Sequence, residues 1–513
     1  MSSIHDNAAS YFVDRHLSEG RARKVAYREA GTGRSLTYQQ LAEGAGIVAG
    51  ALQRADVRPE ERAAMLVLDT IEFPHLFFGA LKCGVVPVPI NTLLATPIYD
   101  AILRDSRAVI LFVSAPLFAA VEPILAANPY LREVVVIGDE AVEGTQNLEA
   151  FISGAHPLPT VAVSPDETAF WLYSSGSTGQ PKGVQHVHSS LKATADTYGA
   201  NVLCLKEDDT VFSAAKFFFA YGLGNAMTFP LAVGATTVIF AGRPTPPDMI
   251  VTLNAEKPTV FCGVPTLFAA MVAEIDRTGP PQAPLRMCIS AGEALPEDVG
   301  RRWQAHTGVD ILDGVGSTEM LHIFLSNRAD DLEYGTSGTP VPGYNVRLVD
   351  EAGSDVGDNE IGELLVDGAS AASGYWNQRD KSRATFEGVW TRTGDKYERR
   401  PDGRYVYCGR TDDMFKVSGI WVSPFEVEQA LVSHSAVLEA AVVAARDDLG
   451  LEKPKAFVVL HGTAPERFEA MLIEHVKDQI GKWKYPRWIE VVEELPKTAT
   501  GKIQRFRLRG EGA

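Results

Sequence analysis

Short apolar runs alternate with amphipathic segments along the first part of the chain. Ala63 to Leu68, Val85 to Ile90 and Ala108 to Ser114 are apolar runs of strand length, and Phe73 to Lys82 has helical spacing. This rhythm predicts strand, helix, strand and strand, which indicates an α/β layered fold. Similar runs, each followed by polar or turn-forming residues, predict further buried strands at Ala169 to Tyr173, Ala235 to Phe240, Thr259 to Gly263 and Met287 to Ser290.

The pattern changes after Tyr334, where glycine and proline become dense up to Gly343. Runs that follow, at Asn345 to Val349 and Gly362 to Val366, predict a small β-rich unit. The rest of the chain, from about Asp412, predicts an α+β lid. Its predicted strands are Ala440 to Ala444, Ala456 to Leu460 and Trp488 to Val492, and its predicted helix is Pro465 to Lys482.

The composition is that of a globular protein with more than one core. The chain has 513 residues, of which 45% are apolar and 22% charged. A chain of this length is too long to fold around a single hydrophobic core, so two or more domains are expected. It has neither a run of about 20 apolar residues nor a signal-peptide core, which predicts a soluble, cytoplasmic protein. Five cysteines without C-x-x-C spacing suggest neither disulfides nor a zinc site. The net charge of −17 opposes binding to nucleic acid or an anionic membrane.

A Ser/Gly-rich run follows the apolar strand that ends at Tyr173. Glycines let the backbone approach a ligand, hydroxyls donate to phosphate oxygens, and a lysine adds a cation. The run lacks the residue order of a Walker A loop, and the alternative is an ordinary flexible Ser/Gly loop. The candidate phosphate-binding residues are Ser174, Ser175, Gly176, Ser177, Thr178, Gly179 and Lys182.

This run, which ends in Pro181-Lys182-Gly183, resembles the signature loop of the adenylate-forming superfamily. That superfamily includes acyl- and aryl-CoA ligases, peptide-synthetase adenylation domains and firefly-type luciferases. Further family motifs occur in the expected order, so the resemblance covers nearly the whole chain. It implies an N-terminal domain of several subdomains over residues 1–411, which binds ATP and an aryl acid. A small mobile C-terminal domain over residues 412–513 would turn about a hinge at Asp412.

The segment from Gly314 to Glu319 resembles the family's second nucleotide motif. The resemblance implies that Thr318 touches the α-phosphate and that Glu319 helps to hold Mg²⁺, a hard cation that prefers carboxylate and phosphate oxygens. On its own the segment could equally be a glycine turn with a solvated glutamate. The residues that match the family's adenine pocket are Ser290 to Ala294, which include Gly292, Glu293 and Ala294, together with Asp313. Gly314, at the start of the second motif, is a further candidate nucleotide-binding residue.

Two residues match the family's ribose contacts. Asp395 lies in a tight turn, where its two oxygens suit a vicinal diol, and Arg410 follows on the next run. The alternative is a surface aspartate in a turn.

Lys502 matches the adenylation lysine of the family, in the segment Leu495 to Ile503. Attack of a carboxylate on a phosphate brings two anions together, and a desolvated ammonium offsets a repulsion of several kcal/mol. The alternative is a solvated basic tail.

In the second half-reaction the thiol of CoA must approach the acyl-adenylate at the position that the adenylation lysine occupied in the first. In the family the C-terminal domain rotates about the hinge, which matches Asp412, and presents another face. The resemblance implies that Lys416 serves this step and that Gly419, which lacks a side chain, admits the pantetheine arm of CoA.

Two segments, Phe219 to Asn225 and Gly316 to Phe324, are rich in aromatic and branched residues. They resemble the acid pockets of benzoate-CoA ligases and their 4-hydroxybenzoate relatives. Aromatic and branched walls with few polar groups suit a flat neutral ring, although such runs are more often simply buried elements. His322 could be a packed core residue, a partner of a ring hydroxyl or a ligand of the carboxylate. Cys262 and Cys288 depart from the expected pattern, which leaves ring substitution open. The candidate pocket residues are Phe219, Ala220, Tyr221, Gly222, Leu321, His322 and Ile323.

Together these features predict an acid-thiol ligase that converts benzoate or a hydroxybenzoate, ATP and CoA to aryl-CoA, AMP and pyrophosphate through an aryl-adenylate, with Mg²⁺ as cofactor. Alternatives are an enzyme that loads a carrier-protein phosphopantetheine, a luciferase-type oxygenase, and a noncatalytic acyl or nucleotide sensor on the same fold. A homodimer and a lysine acetyltransferase acting on Lys502 are candidate partners.

Overall fold

A computed structural model describes residues 3–138, 142–175, 181–411, 413–417, 420–447, 451–462, 467–481, 484–497 and 503–509. The chain forms two compact units: Met1–Asn345 with Val366–Thr391, and Val346–Leu365 with Arg392–Ala513. The second unit therefore includes residues 346–365 and 392–411, which the sequence placed in the N-terminal domain. Asp412 lies outside the described residues, and the division at 411/412 stays a prediction.

A nine-stranded sheet organises the first unit. Its central strands are parallel, and three of them, Val260–Gly263, Met287–Ala291 and Ile311–Gly316, lie side by side. Their side chains are largely buried, as the apolar runs predict. In sheet order the strands are Thr339–Pro340, Ile323–Ser326, Ile311–Gly316, Met287–Ala291, Val260–Gly263, Thr210–Ser213, Thr236–Ile239, Val25–Glu29 and Ser35–Thr37.

Two further sheets belong to the same unit. A parallel sheet contains, in order, Val86–Pro89, Arg62–Leu66, Ile110–Ser114, Glu133–Ile137 and Gln146–Asn147. An antiparallel sheet contains Gly374–Tyr375, Pro181–Val187 and Thr168–Ser175. Residues 176–180, in the middle of the Ser/Gly-rich run, lie outside the described residues. In sequence they stand between Thr168–Ser175 and Pro181–Val187, two strands of the antiparallel sheet.

Amphipathic helices cover these sheets. Tyr38–Arg54 begins with a capping box, in which Thr37 and Gln40 satisfy each other's backbone N–H groups. No helix among the described residues has both the length and the apolar character needed to cross a membrane. The helices of seven or more residues in this unit are Tyr38–Arg54, Glu72–Lys82, Thr96–Ser106, Phe118–Leu125, His188–Thr194, Pro246–Glu256, Pro265–Thr278, Glu297–Thr307 and Arg379–Thr385.

The second unit has its own core. The strands Val437–Arg446, Glu452–Leu460 and Trp488–Val491 form a sheet, and its apolar face packs with the helices Pro424–Val432 and Phe468–Ile480. A short hairpin of Phe415–Val417 and Ile420–Val422 precedes the first helix. A five-stranded sheet contains Asn345–Val349, Ile361–Asp367, Trp390–Arg399, Phe386–Glu387 and Tyr405–Arg410.

Candidate active site

The adenine-pocket candidates lie at the carboxyl ends of two neighbouring parallel strands. Ser290 pairs with Asp313 across these strands, and Gly292, at a φ of +100°, turns the chain out of the first one. The backbone N–H of Leu295 then donates to Oδ2 of Asp313 at 3.3 Å. This edge of a parallel sheet is where ligands bind in α/β folds, because strand ends and turns converge there.

Asp313 is a buried carboxyl group. Burial raises its pKa to about 8, because water no longer stabilises the ionised form. Its Oδ1 has no hydrogen-bond partner among the described residues. A protonated carboxyl group with an open oxygen can both donate and accept, as an adenine edge requires.

Lys182, Glu319 and Tyr375 form a hydrogen-bonded triangle. Nζ of Lys182 lies 3.0 Å from Oε1 of Glu319 and 2.9 Å from the hydroxyl of Tyr375. The Tyr375 hydroxyl donates to the same Oε1 at 2.8 Å. Lys182, at the end of the Ser/Gly-rich run, and Glu319, in the second nucleotide motif, are thus in direct contact.

The charges of this triangle stabilise each other. Burial alone would raise the pKa of Glu319, but the Lys182 ammonium and the Tyr375 hydroxyl outweigh it and hold that pKa below its usual value. Burial likewise disfavours the charged form of Lys182, yet Glu319 and Tyr375 raise its pKa. Both side chains are therefore charged at neutral pH, and Oε2 of Glu319 is the oxygen not used by Lys182 or Tyr375.

His186 supports the main chain at Thr318. Its Nε2 donates to the carbonyl oxygen of Thr318 at 2.8 Å, and its ring stacks on Phe170 with centroids 5.2 Å apart. Burial lowers the pKa of His186 to about 4, so the ring is a neutral donor. The same carbonyl accepts the N–H of Leu321 at 3.1 Å, which closes the turn after Glu319.

His322 and Tyr221 lie together in an aromatic cluster. The ring of His322 lies 5.7 Å from that of Tyr221, 5.2 Å from Tyr198 and 4.5 Å from Phe229. Its Nε2 contacts the carbonyl oxygen of Tyr221 at 3.3 Å, and Nδ1 is buried without a partner in the described part of the chain. Burial lowers the pKa of His322 to about 3. Because a carbonyl only accepts, Nε2 carries the hydrogen and Nδ1 is an acceptor.

The remaining pocket candidates are fixed by close packing. A Cβ on Gly222 would stand 2.0 Å from the carbonyl oxygen of Lys216, which explains the glycine without any ligand. Phe219 packs on Phe218 with ring centroids 4.4 Å apart and precedes the helix Ala220–Leu223. Leu321 takes a φ of +64° in its turn, and Ile323 pairs with Gly316 on the neighbouring strand.

The ribose candidates lie in the second unit. Asp395 and Arg410 are cross-strand neighbours, and Nη1 of Arg410 donates to Oδ1 of Asp395 at 2.9 Å. The same nitrogen donates to the carbonyl oxygen of Thr393 at 2.9 Å. The two residues thus form one ion pair.

Some of the remaining predicted site residues lie in described strands, and others lie outside the described residues. Ser174 pairs with Lys182 across the two strands, and its Oγ is buried without a partner among the described residues. Ser175 and Lys416 lie in strands. Gly176, Ser177, Thr178, Gly179, Asp412, Gly419 and Lys502 lie outside the described residues, and their roles stay predictions.

Known proteins with similar sequences identify the family. The AMP-binding enzyme family matches residues 14–376, and its C-terminal domain matches residues 426–502. The chain belongs to the AMP-binding enzyme family. A 4-hydroxybenzoate-CoA/benzoate-CoA ligase of Rhodopseudomonas palustris is 52% identical over 507 residues, which cover 98% of this chain and 94% of the relative. A benzoate-CoA ligase of Thauera aromatica is 53% identical over 510 residues, with coverages of 98% and 95%.

A solved structure agrees with this family assignment. The benzoate CoA ligase from Burkholderia xenovorans LB400 superposes with a TM-score of 0.90 at 49% identity, over 98% of this chain and 99% of that one. The predicted resemblance to adenylate-forming enzymes is confirmed. So is the predicted fold class, an α/β protein with a large N-terminal and a small C-terminal domain.

Two residues of this family member's site were not predicted from the sequence. Tyr375 reaches Lys182 and Glu319 from a short strand distant in sequence, and nothing in its local sequence marks it. His186 carried a signal, because a strand places residues two and four positions after Lys182 on the same face. The alternation from Lys182 could therefore have predicted that His186 points toward the site.

Buried histidines predict that acid destabilises the protein. A histidine whose pKa is lowered on folding binds its proton more readily when unfolded, so its stabilising contribution is lost as pH falls from about 6.5 toward 4. Burial raises the pKa values of Asp69 and Asp313 to about 6 and about 8. These two carboxyl groups therefore add stability as pH falls, but five histidines act in the opposite direction. The histidines with pKa values lowered to about 3 or 4, mainly by burial, are His16, His75, His186, His188 and His322.

The midpoint of thermal unfolding should accordingly be at least about 5 °C lower at pH 5 than at pH 7. Scanning calorimetry of the wild type and of His322→Gln checks this, since the variant should show a smaller pH dependence. The exposed His156 provides the control His156→Gln, which should behave like the wild type. A midpoint unchanged or higher at pH 5 would contradict the prediction.

Proposed function

We propose that this chain is an aryl-CoA ligase that converts benzoate or a hydroxybenzoate, ATP and CoA to aryl-CoA, AMP and pyrophosphate. The observation that carries the proposal is the aromatic cluster of Tyr198, Tyr221 and Phe229 around a neutral His322, because a flat ring packs well against uncharged aromatic side chains. Full-length similarity to ligases named for benzoate and 4-hydroxybenzoate supports it.

The first half-reaction would form the aryl-adenylate. The acid's carboxylate oxygen attacks the α-phosphorus, and the bond to the β-phosphate oxygen breaks to release pyrophosphate. Thr318, held through its carbonyl by His186, would contact the α-phosphate. Lys182 and Lys502 would supply positive charge where the two anions meet. Asp313 and the segment after Gly292 would hold adenine, and Asp395 with Arg410 would hold ribose.

The residues present fit Mg²⁺ held mainly by nucleotide. The described residues contain no group of three or more acidic, histidine or cysteine ligands, whereas Glu319 offers one charged carboxylate. Mg²⁺ is commonly bound by one or two carboxylates together with substrate phosphates. When bound, it would neutralise phosphate charge, and Glu319 would hold it through Oε2.

The second half-reaction would transfer the aryl group to CoA. The thiol attacks the acyl carbon, and the bond to the phosphate oxygen breaks to release AMP. We propose that residues 412–513 turn about Asp412 between the two steps, so that Lys416 and Gly419 replace Lys502 at the site.

A substrate panel tests the proposed function. The protein is mixed with ATP, Mg²⁺, CoA and one acid at a time: benzoate, hydroxybenzoates, aminobenzoates, cyclohexene carboxylate or short fatty acids. Pyrophosphate release and CoA thioester formation are both measured. Preference for a benzoate with thioester formation is expected. Acyl-AMP without thioester would favour the carrier-protein alternative, and no pyrophosphate with any acid would favour a sensor.

His322 is expected to favour a hydroxylated ring. Its Nδ1 is an acceptor in the neutral tautomer described above, so it can accept from a ring hydroxyl but repels an ionised carboxylate. His322→Leu should therefore lower kcat/KM for 4-hydroxybenzoate about tenfold more than for benzoate, the value of one buried hydrogen bond. Equal losses for both acids would assign His322 to packing alone.

Assembly and control of this enzyme also remain proposals. A homodimer would be tested by light scattering. Acetylation of Lys502 by a lysine acetyltransferase would remove the adenylation charge, and mass spectrometry of inactive enzyme would detect it.

A further inference from the structure

Glu428 and Arg505 form a buried, two-point ion pair in the second unit. Nε and Nη2 of Arg505 donate to Oε1 and Oε2 of Glu428 at 3.0 and 2.7 Å. Oε1 of Glu428 also accepts the backbone N–H of Val442 at 2.7 Å. The Glu428 side chain is only 7% exposed. Because two parallel hydrogen bonds join the guanidinium and the carboxylate, the pair fixes the orientation of the Arg505 side chain as well as its position.

This pair holds the segment that follows Lys502. Lys497 and Ile503 form an antiparallel bridge, so the described residues on either side of 498–502 lie side by side. The N–H of Gln504 donates to the carbonyl oxygen of Pro496 at 2.8 Å. Residues on both sides of that stretch pack on the sheet, in a small cluster of Ala441, Val443, Phe457, Leu495, Ile503 and Leu508.

The network also includes Asp413, the residue after the predicted hinge. Its carboxylate pairs with Arg509 and lies 3.5 Å from Nη1 of Arg505. The N–H of Asp413 donates to the carbonyl oxygen of Arg410 at 3.0 Å. Arg505 thus contacts both Glu428, in the core of this unit, and Asp413, the residue after the predicted hinge.

We propose that Arg505, with Glu428 and Asp413, is a positioning residue of the adenylation half-reaction. It fixes the chain three residues after Lys502 to the core of its unit and to the first residue after the hinge. A lysine has a long flexible stem, and its charge acts only if the backbone that carries it is held in place. This proposal rests on the proposed function, in which Lys502 serves only the first step.

Separate assays of the two half-reactions test the proposal. Adenylation is followed as pyrophosphate release from ATP and benzoate, and thioesterification as the reaction of supplied benzoyl-AMP with CoA. Arg505→Gln and Glu428→Gln should each lower the kcat of adenylation about 10²-fold, with KM values nearly unchanged. Thioesterification should stay within about threefold of wild type. The double variant should be no worse than either single one, because the pair acts as a unit.

Two further variants keep the test decisive. Asp413→Asn changes the more accessible end of the network and should lower adenylation without lowering the unfolding midpoint, so it decides the outcome if the others fail to fold. Glu474→Gln removes an exposed ion pair with Lys477 in the same unit and should match the wild type in both assays. Equal loss of both half-reactions in all three network variants would overturn the proposal. A wild type without benzoyl-CoA formation would instead overturn the proposed function.

Discussion

Lys502→Ala is expected to lower adenylate formation by about 10²- to 10³-fold, the usual cost of removing one charge-stabilising group. The physical reason is the repulsion between the attacking carboxylate and the α-phosphate, which needs a cation at the point of attack. The same variant should use supplied benzoyl-AMP and CoA within about threefold of wild type, because the lysine would have left the site before the thiol arrives.

Rapid-quench measurement of each half-reaction checks this prediction. Lys477→Ala removes another lysine from the same unit, where Nζ pairs with Glu474 at 2.7 Å on a helix. This control should leave both half-reactions at wild-type rates. If Lys502→Ala lost both half-reactions equally, Lys502 would not be specific to adenylation, and the rotation between two states would lose its main support.

Periodicity predicted the strands well where one face is buried. The strand Asn345–Val349 has the predicted bounds, and Trp488–Val491 and the helix Phe468–Ile480 lie within the predicted runs. The predicted strands Val85 to Ile90 and Ala108 to Ser114 are observed as Val86–Pro89 and Ile110–Ser114. The helix Thr96–Ser106, which lies between them in sequence, was not predicted. Its buried residues Tyr99, Ile102, Leu103 and Ser106 follow helical spacing, so the signal was present between polar residues.

The site was predictable only as separate motifs. Lys182 and Glu319 each lie in a recognisable segment, but they are 137 residues apart in sequence, and no local pattern states that they form an ion pair. Tyr375 joins them because the strand Gly374–Tyr375 pairs with Val184. Such partners come from tertiary packing, which composition and periodicity do not encode. The Glu428–Arg505 pair, 77 residues apart, is of the same kind.

Glu319→Gln is the second substitution with a large expected effect. It keeps the shape of the side chain but removes the charge that pairs with Lys182 at 3.0 Å. We expect kcat for adenylation to fall about 10²- to 10³-fold. The concentration of Mg²⁺ needed for half-maximal rate should rise at least about tenfold, because a neutral amide is a poor ligand for a hard cation.

Titration of pyrophosphate release with Mg²⁺ at saturating ATP measures both effects. Tyr375→Phe is the matched comparison, since it removes a hydrogen bond to the same Oε1 but keeps both charges. It should cost less than about tenfold in rate, as one hydrogen bond to a charged group implies, and should leave the Mg²⁺ requirement unchanged. If Glu319→Gln lowered the rate but had the wild-type Mg²⁺ requirement, Glu319 would act by keeping Lys182 charged and in place rather than by binding the metal. A rate that was also unchanged would remove Glu319 from the mechanism.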